Sequence, residues 1–111
     1  ALPICAIIAM SGATDVVSDG MTTQTIAVDV PLLATNVGTG DALSALIGAF
    51  NGDEVSVTNT VRAMAMMKLA GVQAAKKVTT PGYFANQVLD ELYLLTAEAL
   101  ETFMAQEVKN G

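Results

Sequence analysis

NVGTGDALSALIGAF, residues 36–50, joins a glycine-containing turn to an apolar segment. Four apolar residues of this segment recur at intervals that predict a helix: Leu43, Leu46, Ile47 and Phe50. Gly38 and Gly40 allow the backbone to turn sharply and to approach a ligand closely. The first turn of a helix leaves its N–H groups free at the positive end of the helix dipole. We therefore predict a site for an anion such as phosphate at this turn.

Asp41 follows the turn directly and lies at the mouth of the predicted site. A carboxylate there can act as a general base, accepting the proton of a hydroxyl group as its oxygen attacks a phosphate. The amides of Gly38, Thr39 and Gly40 would then stabilise the charge that develops on the transferred group. From spacing alone, the simpler interpretation is that Asp41 caps the helix and the glycines form a turn, because short glycine motifs are weak evidence.

Two features upstream of this helix predict β-structure. Residues 4–10 are continuously apolar, which favours a strand buried on both faces, as in a parallel sheet. Residues 15–18 and 24–28 flank an Asp-Gly turn at Asp19, which predicts an antiparallel hairpin. A strand buried on both faces needs neighbours on both edges, so we expect missing residues or another chain to complete the sheet. Because the sequence lacks an initiator Met, we expect the C-terminal portion of a longer protein.

Two further helices are predicted downstream. The second helix runs from an N-cap at Asp53 to about Lys77. The third helix begins with Thr80 as N-cap and Pro81 in its first turn. The acidic residues of the third helix are assigned to its solvent-facing side: Glu91, Glu98, Glu101 and Glu107. The predicted fold is α/β: residues 1–111 are the C-terminal part of a single domain. A buried strand, a β-hairpin and three helices pack there on a sheet that missing residues or another chain complete.

Composition excludes several classes of protein. With 52% hydrophobic and 14% charged residues, the 111-residue chain is too apolar to remain disordered. No uncharged apolar run is long enough to span a membrane. The absence of histidine argues against Ser-His-Asp and Cys-His catalysis and most zinc sites. Five scattered cations and a net charge of −6 argue against nucleic-acid binding. The single cysteine, Cys5, is expected to be an inert core thiol.

Several other residues admit two interpretations. Met64, Met66 and Met67 are expected to fill the core, although flexible thioethers could also line a nucleotide-base pocket. Asp19 is assigned to turn chemistry, with cation binding as the alternative. For Asp15, a structural role and a contact with a cation near a nucleotide both remain open.

Three motifs in the same order give the sequence a family resemblance. Residues 31–50 resemble the anion-hole helix of ribokinase-like small-molecule kinases, and among these they are most similar to the hydroxyethylthiazole kinase family. Residues 10–20, MSGATDVVSDG, resemble the strand, Thr-Gly loop and hairpin of that family, and residues 80–93 resemble its last-helix signature. The resemblance covers essentially the whole chain and implies the C-terminal part of a ribokinase-like domain.

The resemblance also implies roles for individual residues. Ser11 stands where the family usually has a Thr that contacts ATP, and Gly38, Thr39 and Gly40 stand in the anion hole beside the substrate hydroxyl. Asp41 is implied to be the catalytic base. Thiazole kinases commonly carry Cys at this position, whereas most ribokinase-like kinases carry Asp.

The reaction implied by this resemblance is transfer of the γ-phosphoryl group of ATP to a primary hydroxyl, with Mg²⁺ bridging the phosphates. The implied acceptor is 4-methyl-5-(2-hydroxyethyl)thiazole of thiamine biosynthesis, and the implied form is a cytoplasmic homotrimer. Two alternatives stay open. NAD(P)H-hydrate dehydratase shares the fold and a Gly-Thr-Gly-Asp helix start, and a non-catalytic piece would only hold a nucleotide or assemble with other subunits.

Overall fold

The computed structural model describes residues 7–35 and 39–111, without the side chains of residues 35 and 39–42. These residues form four strands, β1 (Ile8–Met10), β2 (Asp15–Ser18), β3 (Thr23–Ile26) and β4 (Val108–Asn110). They also form five helices, α1 (Pro31–Thr35), α2 (Thr39–Asn51), α3 (Val57–Lys77), α4 (Pro81–Leu94) and α5 (Ala97–Glu107). The described strands make one sheet in the order β1-β2-β3-β4.

The predicted hairpin is confirmed by β2 and β3. The two strands pair antiparallel, with Ser18 opposite Thr23 at the turn. Oδ1 of Asp19 accepts hydrogen bonds from the backbone N–H groups of Met21 at 2.9 Å and Thr22 at 2.7 Å. Gly20 has a φ of 90°, a conformation that glycine adopts without a steric cost. Asp19 is therefore a turn residue, as the sequence predicts.

The predicted strand is present at Ile8–Met10, but the predicted parallel pairing is wrong among the described strands; the neighbour expected from missing residues or another chain stays a prediction. This strand pairs antiparallel with β2 and lies at the edge of the sheet. Ile8 and Met10 are 63% and 59% exposed. Helix α3 packs mainly against β2 and β3. It therefore covers the middle of the described sheet more than it covers β1. Cys5, the predicted core thiol, lies outside the described residues.

Helix α3 is the central element of the fold. It contacts α2, α4 and α5 as well as β2 and β3, and it separates two apolar clusters. The first cluster joins the sheet, α3 and α5: Val17, Ile26, Val57, Val61, Met64, Ala65 and Leu100. The second cluster joins the segment before α1 to α3 and α4: Val30, Met67, Ala70, Ala74, Phe84 and Val88. Burial of both faces of α3 fixes the position of the elements around it.

The N-cap of α3 is Ser56, and the prediction of Asp53 is wrong. The Ser56 hydroxyl accepts a hydrogen bond from the N–H of Asn59 at 3.1 Å, which satisfies a donor of the first turn. The side chain of Asn51 prepares this start, because its Oδ1 accepts from the N–H of Ser56 at 2.9 Å. Asp53 lies in the exposed turn between α2 and α3. The end of α3 at Lys77 agrees with the prediction.

The predicted third helix is two helices. Helix α4 begins at Pro81 after Thr80, as predicted, although the Thr80 side chain makes no capping hydrogen bond. The break falls at Leu95 and Thr96, where the Thr96 hydroxyl caps α5 by accepting from the N–H of Ala99 at 3.1 Å. Helix α5 leads directly into β4, which pairs with β3. Among the described helices, none is long and apolar enough to cross a membrane.

Candidate functional site

A pocket of about 200 Å³ opens where the β1–β2 loop, the segment after β3 and the helices α1, α2 and α3 meet. Its lining is described by twelve residues: Ser11, Gly12, Ala13, Asp15, Asp29, Val30, Leu33, Ala34, Leu43, Met64, Met67 and Lys68. The lining combines apolar side chains with the backbone of the loop and three charged side chains. This combination suits a ligand with both a flat apolar part and a polar part.

Ser11 lies at the exposed rim of this pocket, in the loop between β1 and β2. The loop is held from within, since the N–H of Gly12 donates to Oδ1 of Asp15 at 3.0 Å. This hydrogen bond spans three residues and closes the loop on the first residue of β2. Ser11 is therefore part of a short loop with a defined shape, and its contact with a nucleotide stays a prediction.

Lys68 is a site residue that the sequence analysis misses. It is 5% exposed and extends from α3 beneath the β1–β2 loop. Its Nζ donates to the carbonyl oxygen of Gly12 at 2.6 Å and to that of Val28 at 2.5 Å, and it lies 3.5 Å from Oδ1 of Asp15. The signal was present in the sequence, because Lys68 follows Met64 by four residues on the buried face of α3.

Asp15 has a structural role in the described residues, and its alternative contact with a cation near a nucleotide stays a prediction. Its carboxylate is 3% exposed, accepts from the Gly12 N–H and faces the Lys68 ammonium group. Burial raises the pKa of Asp15 above its ordinary value, although the Gly12 N–H and the Lys68 charge act in the opposite direction. Oδ1 of this carboxylate thus serves both the loop and the ion pair.

The methionines of α3 divide between core and pocket. Met64 and Met67 are buried and also line the pocket, where they form its apolar wall with Leu33 and Leu43. Met66 packs against the first apolar cluster and is not a lining residue. The two interpretations of this group are thus compatible, since the same thioethers fill the core and face the cavity.

The helix that follows the predicted anion site reaches this pocket through Leu43. Helix α2 begins at Thr39, so the Gly-Thr-Gly-Asp sequence does mark a helix start. Leu43, one turn into α2, lines the pocket together with Ser11. Gly38 lies outside the described residues, as do the side chains of Thr39 and Asp41, and Gly40 has no side chain to describe. The structure therefore brings Leu43 of α2 and the Ser11 loop to one cavity, and the anion site itself stays a prediction.

Comparisons with known proteins agree with this architecture. The model of the hydroxyethylthiazole kinase family matches residues 1–98. Hydroxyethylthiazole kinase from Leuconostoc citreum (strain KM20) is 76% identical over 104 residues, which cover 94% of this chain and 40% of the relative. Hydroxyethylthiazole kinase from Pyrococcus furiosus is 35% identical over 102 residues, or 92% of this chain and 38% of the relative.

A solved structure gives the same result for the fold. The hydroxyethylthiazole kinase protein from Pyrococcus horikoshii OT3 superposes with a TM-score of 0.83 at 28% identity, over 96% of this chain and 41% of that one. The chain spans about 40% of the length of the curated relatives that it matches. The α/β architecture predicted from the sequence, that of the C-terminal part of a ribokinase-like domain, is confirmed. On the family match and these identities, the chain belongs to the hydroxyethylthiazole kinase family.

Proposed function

We propose that the chain is the C-terminal part of an ATP-dependent kinase that phosphorylates the primary hydroxyl of 4-methyl-5-(2-hydroxyethyl)thiazole. One observation carries the proposal beyond family membership: Ser11 and Leu43 line a single cavity. Ser11 is the residue proposed to contact ATP, and Leu43 lies one turn after the helix start proposed to receive the transferred phosphoryl group. The proposed nucleotide contact and the helix that follows the proposed phosphate site thus border the same cavity.

In the proposed reaction, the Asp41 carboxylate accepts the proton of the acceptor hydroxyl. The hydroxyl oxygen forms a bond to the γ-phosphorus as the bond between that phosphorus and the β,γ-bridging oxygen breaks, and ADP leaves. The backbone N–H groups of Gly38, Thr39 and Gly40 stabilise the negative charge on the transferred group. The Ser11 hydroxyl contacts the nucleotide, and Met64 contributes an apolar wall beside it.

The described residues supply no cage for the Mg²⁺ that ATP chemistry implies. Among residues 7–35 and 39–111, no three His, Cys, Asp or Glu residues lie close enough together to hold a metal ion. Asp15 faces Lys68, and the other carboxylate at the pocket, Asp29, is exposed. No metal ligand is therefore assigned among these described residues. A place in thiamine biosynthesis, in a cytoplasmic homotrimer, completes the proposal.

The proposal is tested by Asp41→Asn in the full-length protein. The amide has the shape of the carboxylate but cannot accept the proton, so kcat for thiazole phosphorylation should fall by about 10²–10⁴-fold. The dissociation constant for ADP should stay within about twofold, because the nucleotide contacts lie elsewhere. Asp53→Asn, in the exposed turn after α2, is the matched control and should leave both constants unchanged. An Asp41→Asn enzyme as fast as the wild type would refute the base assignment.

A further inference from the structure

Lys68 joins two separate segments of backbone at the pocket. Its ammonium group donates to the Gly12 carbonyl in the β1–β2 loop at 2.6 Å and to the Val28 carbonyl between β3 and α1 at 2.5 Å. The residue next to each carbonyl lines the pocket: Ser11 precedes Gly12, and Asp29 follows Val28. A single buried side chain therefore sets the separation of the two segments that form the polar side of the cavity.

The bonding of this ammonium group argues against a direct role in holding phosphate. An ammonium group has three N–H donors, and two of them are used by the carbonyls of Gly12 and Val28. The charge is balanced by Asp15, whose Oδ1 lies 3.5 Å from Nζ. The third N–H lies beside this carboxylate, and the side chain is 5% exposed, so the ammonium group is largely occupied by protein partners. In the proposed site the start of α2 supplies positive potential for the anion, and Lys68 holds the backbone segments in place.

Building on the proposed function, we propose that Lys68 is a positioning residue for nucleotide binding. By holding the Gly12 and Val28 carbonyls together, it fixes the loop that presents Ser11 against the segment that presents Asp29. Loss of this link would let the polar side of the pocket widen, and the nucleotide would have to order it again on binding. Ground-state and transition-state binding should weaken equally in that case, which raises KM and leaves kcat nearly unchanged.

Lys68→Met in the full-length protein tests this proposal, because Met fills a similar volume and offers neither charge nor N–H donors. We expect the dissociation constant for ADP and the KM for ATP to rise about tenfold, with kcat within about threefold of the wild type. A residue needed only for folding would lower the active fraction, and hence kcat, without changing KM. The matched control is Lys76→Met on the same helix, an exposed position away from the pocket, which should leave all three constants unchanged.

A second variant keeps the test decisive if Lys68→Met does not fold. Lys68→Gln retains two N–H donors on a shorter, neutral side chain, and we expect an intermediate rise in both nucleotide constants. A folded Met or Gln variant that binds ADP as tightly as the wild type would overturn the positioning role. A wild-type protein that binds no ADP would instead overturn the proposed function on which it rests, so the two failures are distinguishable.

Discussion

Nζ of Lys68 lies 3.5 Å from Oδ1 of Asp15, and the two side chains are only 6% and 3% exposed. Removing either charge from water is costly, and the cost is offset only while both partners and their hydrogen bonds are present. Asp15 also accepts the N–H of Gly12, so the same carboxylate serves the ion pair and the loop. The pair therefore links the stability of the fold to the shape of the pocket.

Replacing Asp15 should lower the free energy of unfolding, and by more when both the Gly12 hydrogen bond and the Lys68 ion pair are lost. In Asp15→Ala, the Lys68 charge and the Gly12 N–H both lose a buried partner, and we expect the free energy of unfolding to fall by about 3–5 kcal/mol. Asp15→Asn keeps an oxygen that can accept from Gly12, so its loss should be smaller. Urea denaturation of the full-length protein measures both. Asp53→Ala, at an exposed position, should change stability by less than about 0.5 kcal/mol.

Gly71 and Gly48 form a matched pair of helical glycines with opposite predictions. A Cβ at Gly71 on α3 would lie 2.7 Å from Cδ1 of Leu33 and 3.3 Å from Cγ1 of Val30, so in Gly71→Ala the Leu33 side chain must move. We expect this overpacking to cost about 1–3 kcal/mol. A Cβ at Gly48 on α2 meets nothing within 4 Å, and Gly48→Ala should stabilise the protein by about 0.5–1 kcal/mol.

Thermal unfolding of the two glycine variants, measured side by side in the full-length protein, checks this pair. Because Leu33 also lines the pocket, Gly71→Ala should weaken ADP binding as well, whereas Gly48→Ala should not. Equal effects of the two substitutions on stability would mean that the close approach of α1 to α3 is not what glycine at position 71 permits.

The parts of the fold set by local chemistry follow from the sequence. The Asp19 turn and the start of α4 at Pro81 depend on residues within one turn of each other, and both agree with the structure. The start of α3 does not follow, because two polar residues compete for it. The Ser56 N–H donates to Oδ1 of Asn51, the last residue of α2, and this contact across the turn favours Ser56 as the cap.

The candidate site could likewise be predicted only in part. Ser11 and helix α2 can be identified from motifs in the chain, and in the structure Ser11 and Leu43 of α2 line one cavity. Lys68 cannot be assigned its role from spacing, since its two carbonyl partners lie 56 and 40 residues away in sequence. The edge position of β1 depends on strand order, which an apolar run does not encode.

Glu91 is a further case in which the predicted environment is wrong, because it lies buried where α4 meets the end of α3 and not on the solvent-facing side. Its carboxylate accepts from Nζ of Lys77 at 3.2 Å and 2.9 Å and from Nε2 of Gln87 at 3.0 Å. Acidic residues on an amphipathic helix normally face water. Here the lysine at the end of the preceding helix supplies the partner that makes burial tolerable.

These contacts give Glu91 a pH-dependent contribution to stability. Hydrogen bonds from Lys77 and then from Gln87 lower the pKa of Glu91 below its ordinary value of 4.5. The unfolded chain therefore takes up the proton at a higher pH than the folded one. The stabilisation is complete above pH 4.5 and is lost as the pH falls through the lower folded value.

Glu91→Gln, which has no charge to lose, should be less stable than the wild type at neutral pH, and this difference in stability should narrow as the pH falls. Glu98→Gln, on the exposed first turn of α5, is the control and should follow the wild type throughout. The free energies of unfolding of the wild type and both variants, measured between about pH 7 and about pH 3, test this expectation. A gap between wild type and Glu91→Gln that stays constant over this range would mean that the charge on Glu91 does not hold α4 to α3.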